Sequence, residues 1–208
     1  MDGVCMRKII KLAVLLLLAA FILEFTGIAA DCEELQRSVI RLHVVAASDS
    51  QEDQAVKLQV RDAVVSYVEA AMANVMTVEE AKAWLSENLP GIQDAANAML
   101  RKLGLSDRAV VTLRSEAFPV RHYDTFSLPS GVYDALRVTI GEGQGKNWWC
   151  VVFPSLCLPA VGENVQNVAA GAGFSQTLSN TVTRQQGYKL RFYFMDVLGK
   201  IENFFSGK

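Results

Sequence analysis

The sequence predicts an α+β fold: an N-terminal strand, a helical segment, then a mainly antiparallel sheet packed against the helices, with a tail suited to a C-terminal helix. Two observations predict it. Apolar residues recur at helical spacing between Ser50 and Gly104, and from Ala109 to Phe153 they alternate instead. Helices early and strands late argue for helices laid on one face of a sheet. The 208 residues, 51% apolar, suffice for a core without metal or disulfide staples.

The first thirty residues stand apart. Every residue from Leu12 to Leu23 is apolar, and Arg7, Lys8 and Lys11 precede the run. This is the layout of an export signal or an N-terminal anchor, with the basic end left in the cytoplasm. Glu24 interrupts the run, and Thr26 to Ala30 offers small residues for cleavage, although Ile28 is a poor residue three positions before a cut. Both readings put the body outside the cytoplasm and the N-terminus in the membrane at least transiently. Asp31, immediately before Cys32, excludes a lipoprotein signal. Without residues 1–30 the chain carries 17 Lys and Arg against 20 Asp and Glu. That balance excludes a strongly basic nucleic-acid binder and a charge-dominated disordered chain.

Ser38–Ala47 alternates and is β-branched, the mark of a strand. Ser48-Asp49-Ser50, with Gln51 and Glu52 three positions after the first two, reads as a capping box. The helix it opens carries Val56, Val60, Val64, Tyr67 and Ala71 on one face. Thr77-Val78-Glu79-Glu80 is a second capping box, opening a helix that Pro90-Gly91 is expected to break. A third helix through Ile92, Ala95, Met99 and Leu103 should end at Gly104. Strands follow at Ala109–Glu116, Val132–Ile140 and Asn147–Phe153, the last two joined by a glycine-rich loop, 141–145, that reads as a hairpin connection. A strand after it, rather than a helix, excludes a phosphate-binding turn. Residues 159–187 read as a linker or mobile loop, with a weak helix near Val165–Ala170, and 188–208 as an amphipathic tail. The expected organisation is therefore 1–30 signal or anchor, 31–158 extracytoplasmic domain, 159–187 linker and 188–208 tail.

Several residue groups could carry function. Cys150 and Cys157 are expected to form a disulfide in an oxidising compartment; two buried thiols and a catalytic thiol are the other readings. Cys150 with His43 or His122 as base supplies the residue types of a cysteine-dependent hydrolase, the alternative function. The sequence offers no metal cluster and calls for no cofactor. Trp148 and Trp149, adjacent on a strand, must face opposite ways, and an exposed one beside Arg137 would suit a protein contact. The partner-binding surface expected from the residues combines His43, Ser48, Asp49, Asp53, Arg137, Trp148 and Trp149.

The runs Arg41 to Ser50, Asp53-Gln54-Ala55 and Val60 to Val64 closely resemble the hallmark of the stage II sporulation protein R family. So do Phe118 to Arg121, Leu128 to Tyr133, Leu136 to Gly143 and, most specifically, Gly145 to Cys157. The resemblance covers residues 38 to 158 in order and stops at Pro159; Ala47 departs from an expected Asn. It implies an exported signal of endospore-forming bacteria. Such a protein is made in the forespore and released between the two engulfing membranes. There it is needed to activate a membrane-embedded aspartic protease that processes the sigma-E precursor. On this view the chain is a ligand and not the protease.

Overall fold

In a computed structural model, which describes residues 3–75, 77–123, 126–155, 176–183 and 189–206, the chain is α+β. Its elements are α1 (Gly3–Ser38), β1 (Ile40–Val45), α2 (Gln51–Ala71), α3 (Val78–Lys102), β2 (Ala109–Phe118), β3 (Arg121–His122), β4 (Ser127–Leu128), β5 (Gly131–Ile140) and β6 (Asn147–Phe153). Among the described residues two helices follow, α4 (Gln176–Val182) and α5 (Lys189–Phe205). Among the described residues four strands form one sheet in the order β2-β5-β1-β6, and β3 pairs with β4. The sheet is mixed: β1 runs parallel to β5, and the outer pairings β2·β5 and β1·β6 are antiparallel.

All six residues of β1 are buried. Ile40, Leu42 and Val44 point to a first core with Val56, Val60 and Val64 of α2 and Leu85, Ile92 and Leu100 of α3. The opposite face meets a second core built from Ile28, Cys32 and Leu35 of α1, Phe118, Tyr133, Val151 and, from α5, Met195. Helices therefore lie on both faces, where the sequence suggested one. The second layer comes from the end of α1 and from α5, segments that flank the run of helical periodicity. The parallel pair β1·β5 is therefore covered by helices on the first face and on part of the second. Ser130 fastens α5 down: its backbone N–H donates to Asp196 Oδ1 at 3.0 Å and its hydroxyl to the Asp196 carbonyl at 2.7 Å.

Pro90-Gly91 does not break the helix. α3 is continuous through Pro90, because Ala81, Leu85, Ile92, Ala96 and Leu100 keep one buried stripe in phase across it. Ile92 is buried as expected, and the next buried positions, Ala96 and Leu100, lie one residue on from the expected Ala95 and Met99. Gly91 is there for contact, since a Cβ would collide with the Tyr67 hydroxyl of α2. The Thr77–Glu80 capping box forms with both reciprocal bonds. At α2 the cap is Ser50, the last of the three expected cap residues, which accepts from the Asp53 amide at 3.0 Å; the boxes read from Ser48 and Asp49 start one or two residues too early.

The glycine loop is no hairpin, because β5 and β6 are separated by β1 in the sheet. It arches over the end of β1, with the Gly145 amide donating to the Ala46 carbonyl at 2.9 Å and the Gln144 amide to Ala47 at 3.1 Å. Gly143 takes a φ of +63°, and a Cβ on Gly145 would strike the Ser48 carbonyl. Inside the expected linker, α4 forms and buries Val182 in the second core; the weak helix near Val165–Ala170 lies outside the described residues.

Pro90 is exposed, so replacing it costs no packing. Pro90→Ala should restore one backbone hydrogen bond and stabilise the protein by about 1–3 kcal/mol in chemical denaturation. A variant no more stable than the parent would mean that the helix is interrupted there after all.

Candidate functional site

Strand alternation sends Arg41, His43 and Val45 of β1 to the second face, beside Tyr133, Ala135, Arg137 and Thr139 of β5. β2 adds Arg114 and Glu116, and β6 adds Asn147 and Trp149. Helices α1 and α5 cover the part of this face around Arg41, Phe118 and Tyr133. Among the described residues no helix covers the rest. There Arg114, Arg137, Asn147 and Trp149 reach the surface over the nearly buried His43 and Glu116, and an open cleft of about 360 Å³ lies between His43, Arg114, Glu116 and Arg137.

Glu116 organises this surface. His43 Nδ1–H donates to its Oε2 at 2.6 Å, and Arg114 Nε and Arg137 Nη1 donate to its Oε1 at 2.6 and 3.2 Å. His43 Nε2 meets the Asn147 side-chain amide at 2.8 Å. The imidazole stacks on Trp149 at 5.8 Å, and the Arg121 guanidinium covers the same indole at 3.6 Å. Burial alone pushes the Glu116 carboxyl up. The hydrogen bonds from His43 and Arg114 and the charges of His43 and Arg137 outweigh it, so the group is pulled down to about 2. Two arginines on one carboxylate leave the patch cationic on a chain of net charge −2.

Arg41 lies deeper and is fully buried. Its guanidinium sits 4.3 Å from the Phe118 ring centre and 5.1 Å from that of Tyr133, and Nη2 donates to the Tyr123 hydroxyl at 3.1 Å. Among the described residues its Nε and Nη1 have no hydrogen-bond partner, and the ring faces are their counterpart.

The seven residues singled out in the sequence divide into three groups. His43, Arg137 and Trp149 share the patch just described. Ser48, Asp49 and Asp53 form a clamp at the β1–α2 corner. There Ser48 Oγ donates to Asp53 Oδ2 at 2.5 Å and the Lys146 amide to Asp49 Oδ1 at 2.7 Å. Lys57 Nζ donates to the Lys146 carbonyl at 3.0 Å, and desolvation lowers its pKa. Trp148 faces the other way, into the first core, with Arg61 over its ring at 4.5 Å. The clamp and the patch are neighbours because Lys146 serves one and Asn147 the other. Sequence reasoning missed Arg114, Glu116, Arg121 and Asn147. The alternation of β2, which puts Arg114 and Glu116 on one face, was the available signal.

Cys150 is buried in the first core, and His43 lies on the opposite face of the sheet. The thiol–imidazole pair that a hydrolase needs is therefore not assembled from these two residues. His122 sits on β3 with its Nδ1 3.0 Å from Ser127 Oγ and its ring 6.2 Å from that of Phe192. Cys157 lies outside the described residues. Among the described residues there is no group of three His, Cys, Asp or Glu that could hold a metal ion.

The sequence profile described as Stage II sporulation protein R (spore_II_R) matches residues 36–163, more than half of the chain. The chain belongs to the stage II sporulation protein R family. Stage II sporulation protein R of Bacillus subtilis (strain 168) is 37% identical over 118 residues, covering 57% of this chain and 53% of that protein. The match thus spans about half the length of that relative. No solved structure matches. The patch and the clamp lie wholly within the matched segment, whereas most of α1 and all of α4 and α5 lie outside it.

The low pKa of Glu116 has a definite sign. Between its ordinary value of 4.5 and about 2, the unfolded chain binds the proton that the folded family member refuses, so stability declines as pH falls through that window. Glu116→Gln should remove that part of the acid dependence and cost about 1–3 kcal/mol at neutral pH, because the buried His43 loses its charged acceptor while the more exposed arginines turn to water. Urea melts of parent and variant from neutral to acid pH read both effects. Parallel stability–pH curves would show that Glu116 titrates normally.

Proposed function

We propose that this chain is an exported intercompartmental signal in endospore formation that activates a membrane-embedded aspartic protease, which processes the sigma-E precursor. It acts by binding. Family membership supports the sporulation role, and the apolar helix α1 with its basic N-terminal flank supports export from the forespore. The observation that carries the binding reading is the uncovered part of the second sheet face. There His43, Glu116, Arg137 and Trp149 are held in one hydrogen-bonded and stacked arrangement. A fixed polar surface of this kind suits recognition, since little side-chain freedom remains to be lost when a partner docks. Its cationic sign suits an acidic segment of the partner. Docking activates the protease only if its active form binds more tightly than its inactive form.

The test is co-expression of the chain with the protease and the sigma-factor precursor. Arg114 is half exposed, so Arg114→Glu reverses the sign of the patch without opening the core. It should lower precursor processing about tenfold, the effect of losing ~1.4 kcal/mol of binding. Lys102→Glu, at the end of α3 on the far side of the sheet, should leave processing unchanged. Full processing with Arg114→Glu combined with Trp149→Ala, or without the chain at all, would refute the proposed surface.

A Cys150–Cys157 disulfide is part of the same reading, closing a short loop after β6 in an oxidising compartment. Cys150→Ser and Cys157→Ser should then lose stability and activating ability to the same extent. Loss confined to Cys150→Ser would speak for a nucleophilic thiol and for the hydrolase alternative.

A further inference from the structure

The C-terminal helix α5 is apolar on two sides. Its inner side is spent on the body. Met195 is buried in the second core, with Phe194 and Leu198 packed against it. Gly199 lies on the backbone of Ser130, where a Cβ would collide with the carbonyl, and Asn203 Nδ2 donates to the Phe118 carbonyl at 2.9 Å. A helix laid on a body that faces water is expected to be polar on its outer side. Here the outer side carries Tyr193, Val197, Ile201, Phe204 and Phe205, at i, i+4, i+8, i+11 and i+12. Val197 is half-buried, Tyr193 is 60% exposed, Ile201 49% and both phenylalanines 80%. Tyr193 and Phe204 stand about 16 Å apart along the helix, so the apolar stripe runs the length of the element.

Charge says what kind of neighbour the stripe suits. Residues 184–208 carry five Lys and Arg against two Asp and Glu, whereas the rest of the chain carries fifteen against twenty. The basic excess is gathered in the segment that bears the exposed rings. Lys200 stands in the stripe itself, between Val197 and Phe204, with its side chain 61% exposed. A second copy laid on the stripe would bring two basic tails together, which is unfavourable. A surface apolar beneath and negative at its rim meets both features, and that is the interface of a bilayer holding anionic lipids.

We propose that α5 docks the folded body onto an anionic bilayer surface. The helix lies flat, with Ile201, Phe204 and Phe205 at the acyl boundary and Lys200 among the headgroups. The patch with Arg114 and Arg137 lies beside α5 on the same face of the sheet. A body docked in this way turns that patch toward the membrane, the side from which a membrane-embedded partner would meet it.

The full chain is mixed with vesicles of phosphatidylcholine alone, or of phosphatidylcholine with phosphatidylglycerol, and labelled with hydroxyl radicals. Read as protection of Tyr193, Phe204 and Phe205 against rising lipid, binding should be about tenfold tighter with phosphatidylglycerol present. Trp84, which packs against the first core on the far side of the sheet, should keep its reactivity. The double variant Phe204→Ser with Phe205→Ser opens no core, because both rings stand in solvent. In it, protection of Tyr193 should weaken about tenfold, since the apolar contact is lost. Equal protection in the two lipids, or a variant that protects Tyr193 as well as the parent does, would overturn the proposal. Protection that appears without vesicles as the chain is concentrated would overturn it in favour of a second copy. No protection in either lipid would overturn it in favour of a protein neighbour. The protease takes no part in these readouts, so this proposal can fail while the signalling one stands.

Discussion

The organising constraint is that β1 lies between β5 and β6 and is buried on both faces while carrying two polar side chains to one of them. Arg41 is fully buried and His43 is 7% exposed. Neither can be left unpartnered in a low-dielectric interior without a large penalty. Each finds a different answer. Arg41 is enclosed by the faces of Phe118 and Tyr133 and bonds Tyr123, and His43 is held between Glu116 and Asn147. The partners come from β2, β3's flank, β5 and β6, so satisfying one strand fixes the order and register of the others.

The same constraint shapes the surface. Glu116 accepts from His43, Arg114 and Arg137 at once, and its low pKa keeps it an acceptor across the physiological range. Trp149 packs between the imidazole of His43 and the guanidinium of Arg121. Next to it, the Asp49–Lys146–Lys57 clamp fastens the glycine loop to the β1–α2 corner. What faces solvent is therefore the outer side of a network whose inner side holds the sheet together. Polar networks of this kind specify one arrangement when every member is satisfied. An exposed surface that is also fixed is suited to being read by another molecule.

Much of this was legible in the sequence and some of it was not, for identifiable reasons. Period-two alternation located β2, β5 and β6 to within a residue or two, and the Thr77–Glu80 capping box formed as written. Trp148 and Trp149 face opposite sides, as adjacency on a strand requires. The break at Pro90-Gly91 failed because a buried stripe outweighs one missing hydrogen bond, and local propensity does not record that stripe. The hairpin reading of 141–145 failed because strand order is a tertiary fact: β1, paired between β5 and β6, is remote in sequence. Ser48, Asp49 and Asp53 stand at the corner next to His43, and Ser48 Oγ, Asp49 Oδ1 and Asp53 Oδ2 bond within the clamp, which their residue types alone do not reveal. Glu116 was missed because a lone carboxylate in a strand has no spacing signature; its meaning comes from the three donors that the register brings to it.

If a partner reads the uncovered part of the second sheet face, that face is shielded in the complex. Hydroxyl-radical footprinting of the full chain, alone and with the proposed partner, a detergent-solubilised membrane-embedded aspartic protease, tests this directly. Trp149 and His122, on and beside the patch, should be protected in the complex, while Trp84, which packs against the first core from α3, reacts as before. Protection of Trp84 and Tyr67 with Trp149 unchanged would put the partner on the α2–α3 side and contradict the account.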